Sequence, residues 1–374
     1  MRWPADRRSG QNKAFNRRIA MFRKHILAAL CLLPGYIAAD SAKIAQDFLT
    51  HYDDAYPAAQ AIWPGFDPAT IPKVVIGRKP DGSTDSLIIM DHPDPQSFGV
   101  TVDIPRPDGK PGKAFLVTAP HDNPKIAGVG HFAFNVDLHD APTFLIASDC
   151  TDPDIPDDCA AYPDYIPYLV HEVFHRWQDD RFAGMEAFVD QTTYDLKPAA
   201  IAAILLETKA LQAAITADDI ALQRSFAQQF LAIRADRAAR FDHIDLDAQQ
   251  ERIEGTAMYV ELQLPINDGM AKDILRDALD LDGLNEGIKD ELGFGRFYAS
   301  GAAVITLAIQ LGGDDVLKQI TDGAAPADIL AQVVGTNDRS QLISAAKAQF
   351  DPDDTLATRA GKLARIAETE PDIF

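Results

Sequence analysis

Two regimes of hydrophobic patterning divide the chain. Between about residues 40 and 149, short apolar and β-branched runs fall at residues 73–77, 86–90, 99–103, 114–118, 131–136 and 143–147. Turn residues separate them, including Pro80-Asp81-Gly82 and Pro107-Asp108-Gly109. This spacing predicts β-strands, with the last two runs forming a hairpin around Asp140. From Pro163 the apolar period lengthens to that of helices. Helices are expected through residues 171–175, then over about 198–215, 218–241 and 247–264, with shorter ones beyond. Gly312-Gly313 and Gly323 mark breaks. Strands followed by helices predict an α+β fold, with a β-rich part over 40–162 and a helical lobe over 163–374. No internal repeat or long low-complexity linker interrupts the chain.

The first predicted helix carries His171-Glu172-Val173-Phe174-His175. Two imidazoles four residues apart lie one helical turn apart on one face, where two nitrogens can hold one metal ion. Glu172 falls beside that ion and can take a proton from water, so the spacing predicts a zinc site. A zinc enzyme needs a third protein ligand and an open position. Glu254 is the candidate: the chain has ten Glu, none before Glu172, yet Glu251, Glu254 and Glu261 fall within eleven residues. Glu254 and Glu261 are two turns apart on one helical face, which makes Glu261 the expected partner of a ligand rather than a ligand. Gly255 within this helix weakens it for no local reason, and that favours a site over a solvated acidic face.

His171-Glu172-Val173-Phe174-His175 followed by Glu254-Gly255-Thr256-Ala257-Met258-Tyr259-Val260-Glu261 resembles the gluzincin metallopeptidases, especially their aminopeptidase-type members. The resemblance implies a zincin-like fold, in which a mixed sheet packs on the zinc helix and a helical lobe supplies the third ligand. It makes His171, His175 and Glu254 zinc ligands and Glu172 the general base. Ile253 stands where the family has Asn, the interval from His175 to Glu254 is long, and no Gly-x-Met-Glu-Asn strand is present. The resemblance therefore implies zinc-dependent amide hydrolysis and not aminopeptidase specificity. In several gluzincins a Tyr on a later helix steadies the developing oxyanion. Tyr298, ahead of the apolar run 302–311, is similar, with Tyr259 a weaker rival. Residues 143–148 are expected at the sheet edge over the metal, available to pair with substrate backbone.

Arg234, Arg237 and Arg240 form a stripe at helical spacing; acidic partners within the chain are the expected role, ahead of a grip on a peptide carboxylate. The remaining His residues lack ligand spacing. The run 277–290 has Ala278 and Lys289 where a calcium loop needs carboxylates, and no Gly-x-Ser-x-Gly elbow is present.

Composition adds compartment and partners. Arg17, Arg18, Arg23 and Lys24 precede an apolar stretch, Pro34-Gly35 and small residues ending at Ala38-Ala39. This is the order of a secretory signal peptide over residues 1–39, with Met21 as an alternative start. The apolar stretch is too short to span a bilayer, so no stable membrane insertion is expected after cleavage. Losing 1–39, with eight basic side chains and one acid, takes the formal charge from −21 to −28. Such a surface repels phosphate backbones and disfavours nucleic-acid partners. Cys150 and Cys159, left as a pair around a Pro-rich loop, are the expected disulfide of an exported protein. The combined expectation is a periplasmic or extracellular zinc metallopeptidase acting on a peptide or protein. The alternatives are a zincin-fold binding or surface-assembly protein with a structural or lapsed metal site, and a hydrolase of non-peptide amides. Oligomeric state is left open.

Overall fold

The computed structural model describes residues 41–78, 83–99, 101–104, 114–117, 123–130, 132–148, 162–184, 196–241, 244–335 and 338–371. It is a mixed α+β structure in two compact units. Within the described residues, one unit comprises 41–181 and Val260–Asp268. The other comprises Phe182–Tyr259 and the chain from Gly269 onward. Residues 1–39, expected as a signal peptide, and Cys150 and Cys159, expected as a disulfide, lie outside the described residues.

The first unit holds the sheet. Strands β1 (Lys73–Arg78), β2 (Thr84–Met90), β3 (Val102–Ile104), β4 (Ala114–Val117), β5 (Phe132–Leu138) and β6 (Ala141–Ser148) match the six apolar runs. Their order is β3-β4-β2-β1-β6-β5, antiparallel throughout except where β1 and β6 run parallel. Side chains alternate between faces along each strand. Val74, Ile76, Leu87, Ile89, Phe115, Val117, Leu145 and Ala147 therefore share one core layer, with Phe98, Ile126 and Leu138. The hairpin between β5 and β6 turns through His139 and Asp140, both at positive φ (49° and 62°), as a two-residue turn matching strand twist requires. β6 is an interior strand between β1 and β5, so the expectation that residues 143–148 form the edge is corrected. Once β1 pairs with β6 in parallel, the hairpin partner β5 is left outermost.

A helix that the strand-rich reading of this region did not include, α1 (Ser41–Ile62), precedes the sheet. Leu49, Tyr52, Ala55 and Ala59 are buried at helical spacing, a narrow stripe among many polar residues. The second helix, α2 (Tyr162–Arg181), carries the His-Glu-x-x-His segment. From its buried apolar stripe, Phe174 and Trp177 dock on Trp63 and Phe66, just beyond the end of α1. Phe174 meets both edge-on, with ring centroids 5.2 and 5.0 Å away, and stacks on Trp177 at 5.3 Å. Four large rings in edge and stacked geometry fix the rotation of α2 about its axis. That rotation decides where the neighbouring stripe points.

The second unit is helical. Its long elements are α3 (Pro198–Thr216), α4 (Ile220–Arg240), α5 (Ile244–Gln250), α6 (Thr256–Leu262, which ends in the first unit), α7 (Ala271–Ala278) and α8 (Arg296–Gln310). Four further helices lead to the C-terminus: α9 (Val316–Thr321), α10 (Pro326–Val334), α11 (Arg339–Phe350) and α12 (Leu356–Ala367). Two segments, Pro198–Thr216 and Ile288–Gln310, are apolar and long enough to cross a membrane by length and composition. Most of each is buried inside the protein, as in core helices.

The helix expected over 247–264 is broken by a π-turn, Glu251–Gly255, between α5 and α6; a second π-turn, Glu291–Gly295, leads into α8. At the first π-turn two backbones nearly touch. A Cβ on Gly255 would lie 2.4 Å from Gly301 Cα, and one on Gly301 would lie 2.6 Å from the Glu251 carbonyl oxygen. Gly255 thus has a packing reason, which removes its weight as a sign of a site. The Arg stripe finds carboxylates: Arg234 binds Glu207 and Glu251, and Arg237 binds Glu207 and Asp247. Arg296 binds Asp247 at 2.8 Å, and the Ser300 hydroxyl donates to Glu251 at 2.5 Å. Three guanidiniums face three carboxylates, all buried. Arg240 lies outside this network, in an exposed pair with Asp236.

Burial pushes the Glu207 and Asp247 carboxyls up, but Arg237 with Arg234, and Arg296 with Arg237, outweigh it and hold both below their ordinary values. A depressed folded-state value gives stability that is present above the unfolded values, about 3.9–4.3, and lost as pH falls through the folded ones. Urea midpoints should therefore hold level above about pH 5 and fall steadily below about pH 4. Gly301→Ala forces the two backbones apart and should cost about 1–3 kcal/mol or more in the same titration. An unchanged midpoint would contradict the close crossing.

Candidate metal centre

His171, His175 and Gln178 occupy positions i, i+4 and i+7 of α2, one stripe about 100° around the helix from the aromatic one. His171 and Gln178 are fully buried and His175 is half-buried. The two His Nε2 atoms face each other at 3.1 Å, with ring centroids 4.7 Å apart. Glu172 is buried on the same turn. Ligand atoms of His171, Glu172 and His175 all lie within 4.8 Å of one another, the one such group of His, Cys, Asp and Glu among the described residues.

The far side of each ring explains this facing. His171 Nδ1 lies 3.1 Å from Glu261 Oε2, and His175 Nδ1 lies 2.7 Å from Gln178 Oε1. Glu261 is placed by the end of α6. Its own carbonyl accepts from Leu264 N–H and from the Asn267 side-chain amide, at 3.2 and 2.9 Å. A carboxylate oxygen and an amide oxygen only accept, so with the Gln178 amide in this orientation each Nδ1 carries the ring proton and donates it. Both Nε2 atoms then present lone pairs to each other. Two neutral rings so placed offer both lone pairs to a cation standing before them. On a tetrahedral ion with bonds of about 2.0–2.1 Å, two nitrogens sit roughly 3.3–3.4 Å apart. The observed 3.1 Å fits that donor set.

The edge strand β5 lies beside this stripe. Phe132 reaches Tyr168 of α2 and Phe134 reaches His175, each with ring centroids 6.4 Å apart. Between Ala133 and Val136 the pairing with β6 shifts by one residue, and Asn135 takes positive φ (52°). This β-bulge lets Ala133 and Val136 both pack on the core layer while Phe134 keeps to the α2 side.

Glu254 is buried on the π-turn and belongs to the second unit, as does Tyr298 on α8, half-buried with its ring edge-on to Phe294 at 5.5 Å. Tyr259 is also in that unit, and burial raises its phenol above the ordinary value. The residues brought together in the first unit are thus His171, Glu172, His175 and Glu261, together with two that sequence reasoning missed. Gln178 had a readable signal, since it continues the His stripe by one turn. Phe134 had none, because strand order and a bulge put it there.

No protein-family model, curated protein or solved structure matches the chain.

Removing the charge on Glu261 without changing its shape should weaken any metal held by His171. Glu261→Gln is expected to raise the zinc dissociation constant about 10–100-fold in chelator competition, with an unchanged far-UV spectrum. Wild-type affinity in this variant would show that the carboxylate does not act through the imidazole.

Proposed function

We propose that the chain is a zinc-dependent hydrolase of peptide bonds, exported by way of its N-terminal leader. The observation that carries the reading is the pair of Nε2 atoms facing each other at 3.1 Å with the Glu172 carboxylate in the same group. His171 and His175 would hold the ion, and from sequence spacing and the gluzincin resemblance we propose Glu254 as the third ligand. Bound zinc would supply Lewis acidity, lowering the pKa of water towards about 7 and polarising the scissile carbonyl.

The chain's own residues do the rest. Glu172 accepts a proton from the attacking water and returns it to the leaving amine, the task of a carboxylate held close to the reacting atoms but not consumed as a ligand. Tyr298 is the proposed oxyanion donor, a neutral hydroxyl suited to that charge. The edge position of β5 supports a peptide substrate, because an outermost strand offers backbone N–H and C=O groups to an extended chain. Phe132 and Phe134 flank that strand with half-buried aromatic surface.

Glu172→Gln is expected to bind one zinc per chain as the wild type does and to cleave quenched peptide mixtures at least about 100-fold more slowly. His171→Ala should lose the metal itself. Cleavage by the wild type should stop with chelator and return with zinc. A wild type that binds zinc and cleaves no peptide would move the assignment to a binding or assembly protein. Full activity in either variant would remove the roles given to these residues.

A further inference from the structure

The two residues behind the imidazoles are chemically unequal. Glu261 can only accept, so His171 is Nδ1–H whatever stands at its Nε2. Gln178 carries a donor and an acceptor on one carbon and exchanges them by a half-turn about its last bond. With Oε1 toward His175 Nδ1, at 2.7 Å, the Nε2 lone pairs of two neutral rings converge on the position a cation would take. With the amide inverted, its NH2 group donates to Nδ1, and the ring proton of His175 sits on Nε2. That proton then points at the His171 lone pair across the same 3.1 Å, within the range of an N–H···N hydrogen bond. One set of ring positions thus serves a site with metal and a site without it.

We propose that Gln178 is a positioning residue that swivels between these states, accepting from His175 when a metal is held and donating to it when none is. His175 changes tautomer as it does so: one proton leaves Nε2 for solvent and one is taken from solvent at Nδ1, with no net gain or loss. His171 keeps its tautomer in both states. A carboxylate at position 178 could not do this. It would hold His175 as Nδ1–H, and the empty site would retain two facing lone pairs. An apolar side chain would leave the inner ring nitrogen without this partner at either stage. The inference rests on the metal site of the proposed function but not on catalysis.

The test is the ring nitrogen spectrum of the uniformly 15N-labelled full chain, recorded where imidazoles are neutral, with and without one equivalent of zinc. The expected result is His171 as Nδ1–H in both samples, and His175 as Nε2–H without zinc and Nδ1–H with it. Zinc bound at one equivalent with an unchanged His175 tautomer would overturn the inference and leave the metal site standing. No zinc bound would overturn both. Gln178→Glu should fix His175 as Nδ1–H in both samples. Gln178→Leu should weaken zinc about 10–100-fold in chelator competition, and wild-type affinity there would reduce Gln178 to packing. Should the Gln178→Leu variant fail to fold, the wild-type spectra decide. Peptide cleavage is no part of the readout, so a zinc-loaded protein without activity would remove the hydrolase reading alone.

Discussion

Two neutral imidazoles in a protein interior cannot hold their lone pairs face to face unless something positive stands before them. This constraint governs the sheet unit. His171 and His175 are aligned by one helical turn, but helix spacing alone leaves each ring free to present either nitrogen. The choice is made by Glu261 and Gln178, whose side chains hold the Nδ1 edges of the two rings and turn both Nε2 atoms inward. The constraint also reaches outward from the rings. Glu261 is tied down through Asn267, and Gln178 is fully buried.

Holding that stripe in place falls to the adjoining face of α2. Trp63, Phe66, Phe174 and Trp177 lock together as edge-on and stacked rings, so the helix cannot roll without breaking large aromatic contacts. The sheet supplies the remaining reference. β5 is outermost because β1 and β6 pair in parallel, and its bulge at Asn135 keeps Phe134 on the side of His175. Site and scaffold are therefore two faces of the same few residues, and the motif positions between the His residues contribute to both. Phe174 is core, whereas Glu172 belongs to the metal group.

The helical unit solves a different problem. A chain with formal charge −21 gathers Glu207, Asp247 and Glu251 in the interior of this unit, which would be costly if they were alone. Arg234, Arg237 and Arg296 neutralise them in a shared network, with Ser300 satisfying a further oxygen of Glu251. Next to that network the backbone crossing of Gly255 and Gly301 lies at a π-turn, where one extra residue per turn changes the faces presented by Glu251 and by the residues after it.

Much of this was legible in the chain. The six strands, the β5–β6 hairpin, the helices over 162–181, 198–216 and 220–240 and the His-Glu-x-x-His stripe all follow from local spacing, because period 2, period 3.6 and turn chemistry are written in neighbouring residues. The acidic partners of Arg234 and Arg237 could be anticipated from charge alone, though not which carboxylates they would be. Strand order was not legible, and neither were the edge identity of β5, the aromatic clasp that sets the roll of α2, or the packing role of Gly255. Each depends on residues far apart in sequence, and spacing carries no record of which distant side chain arrives beside a given one. The same holds for the imidazole orientations: the sequence placed two His residues on one face, and the tertiary fold, by setting hydrogen-bonding side chains behind them, decided which nitrogens look at each other.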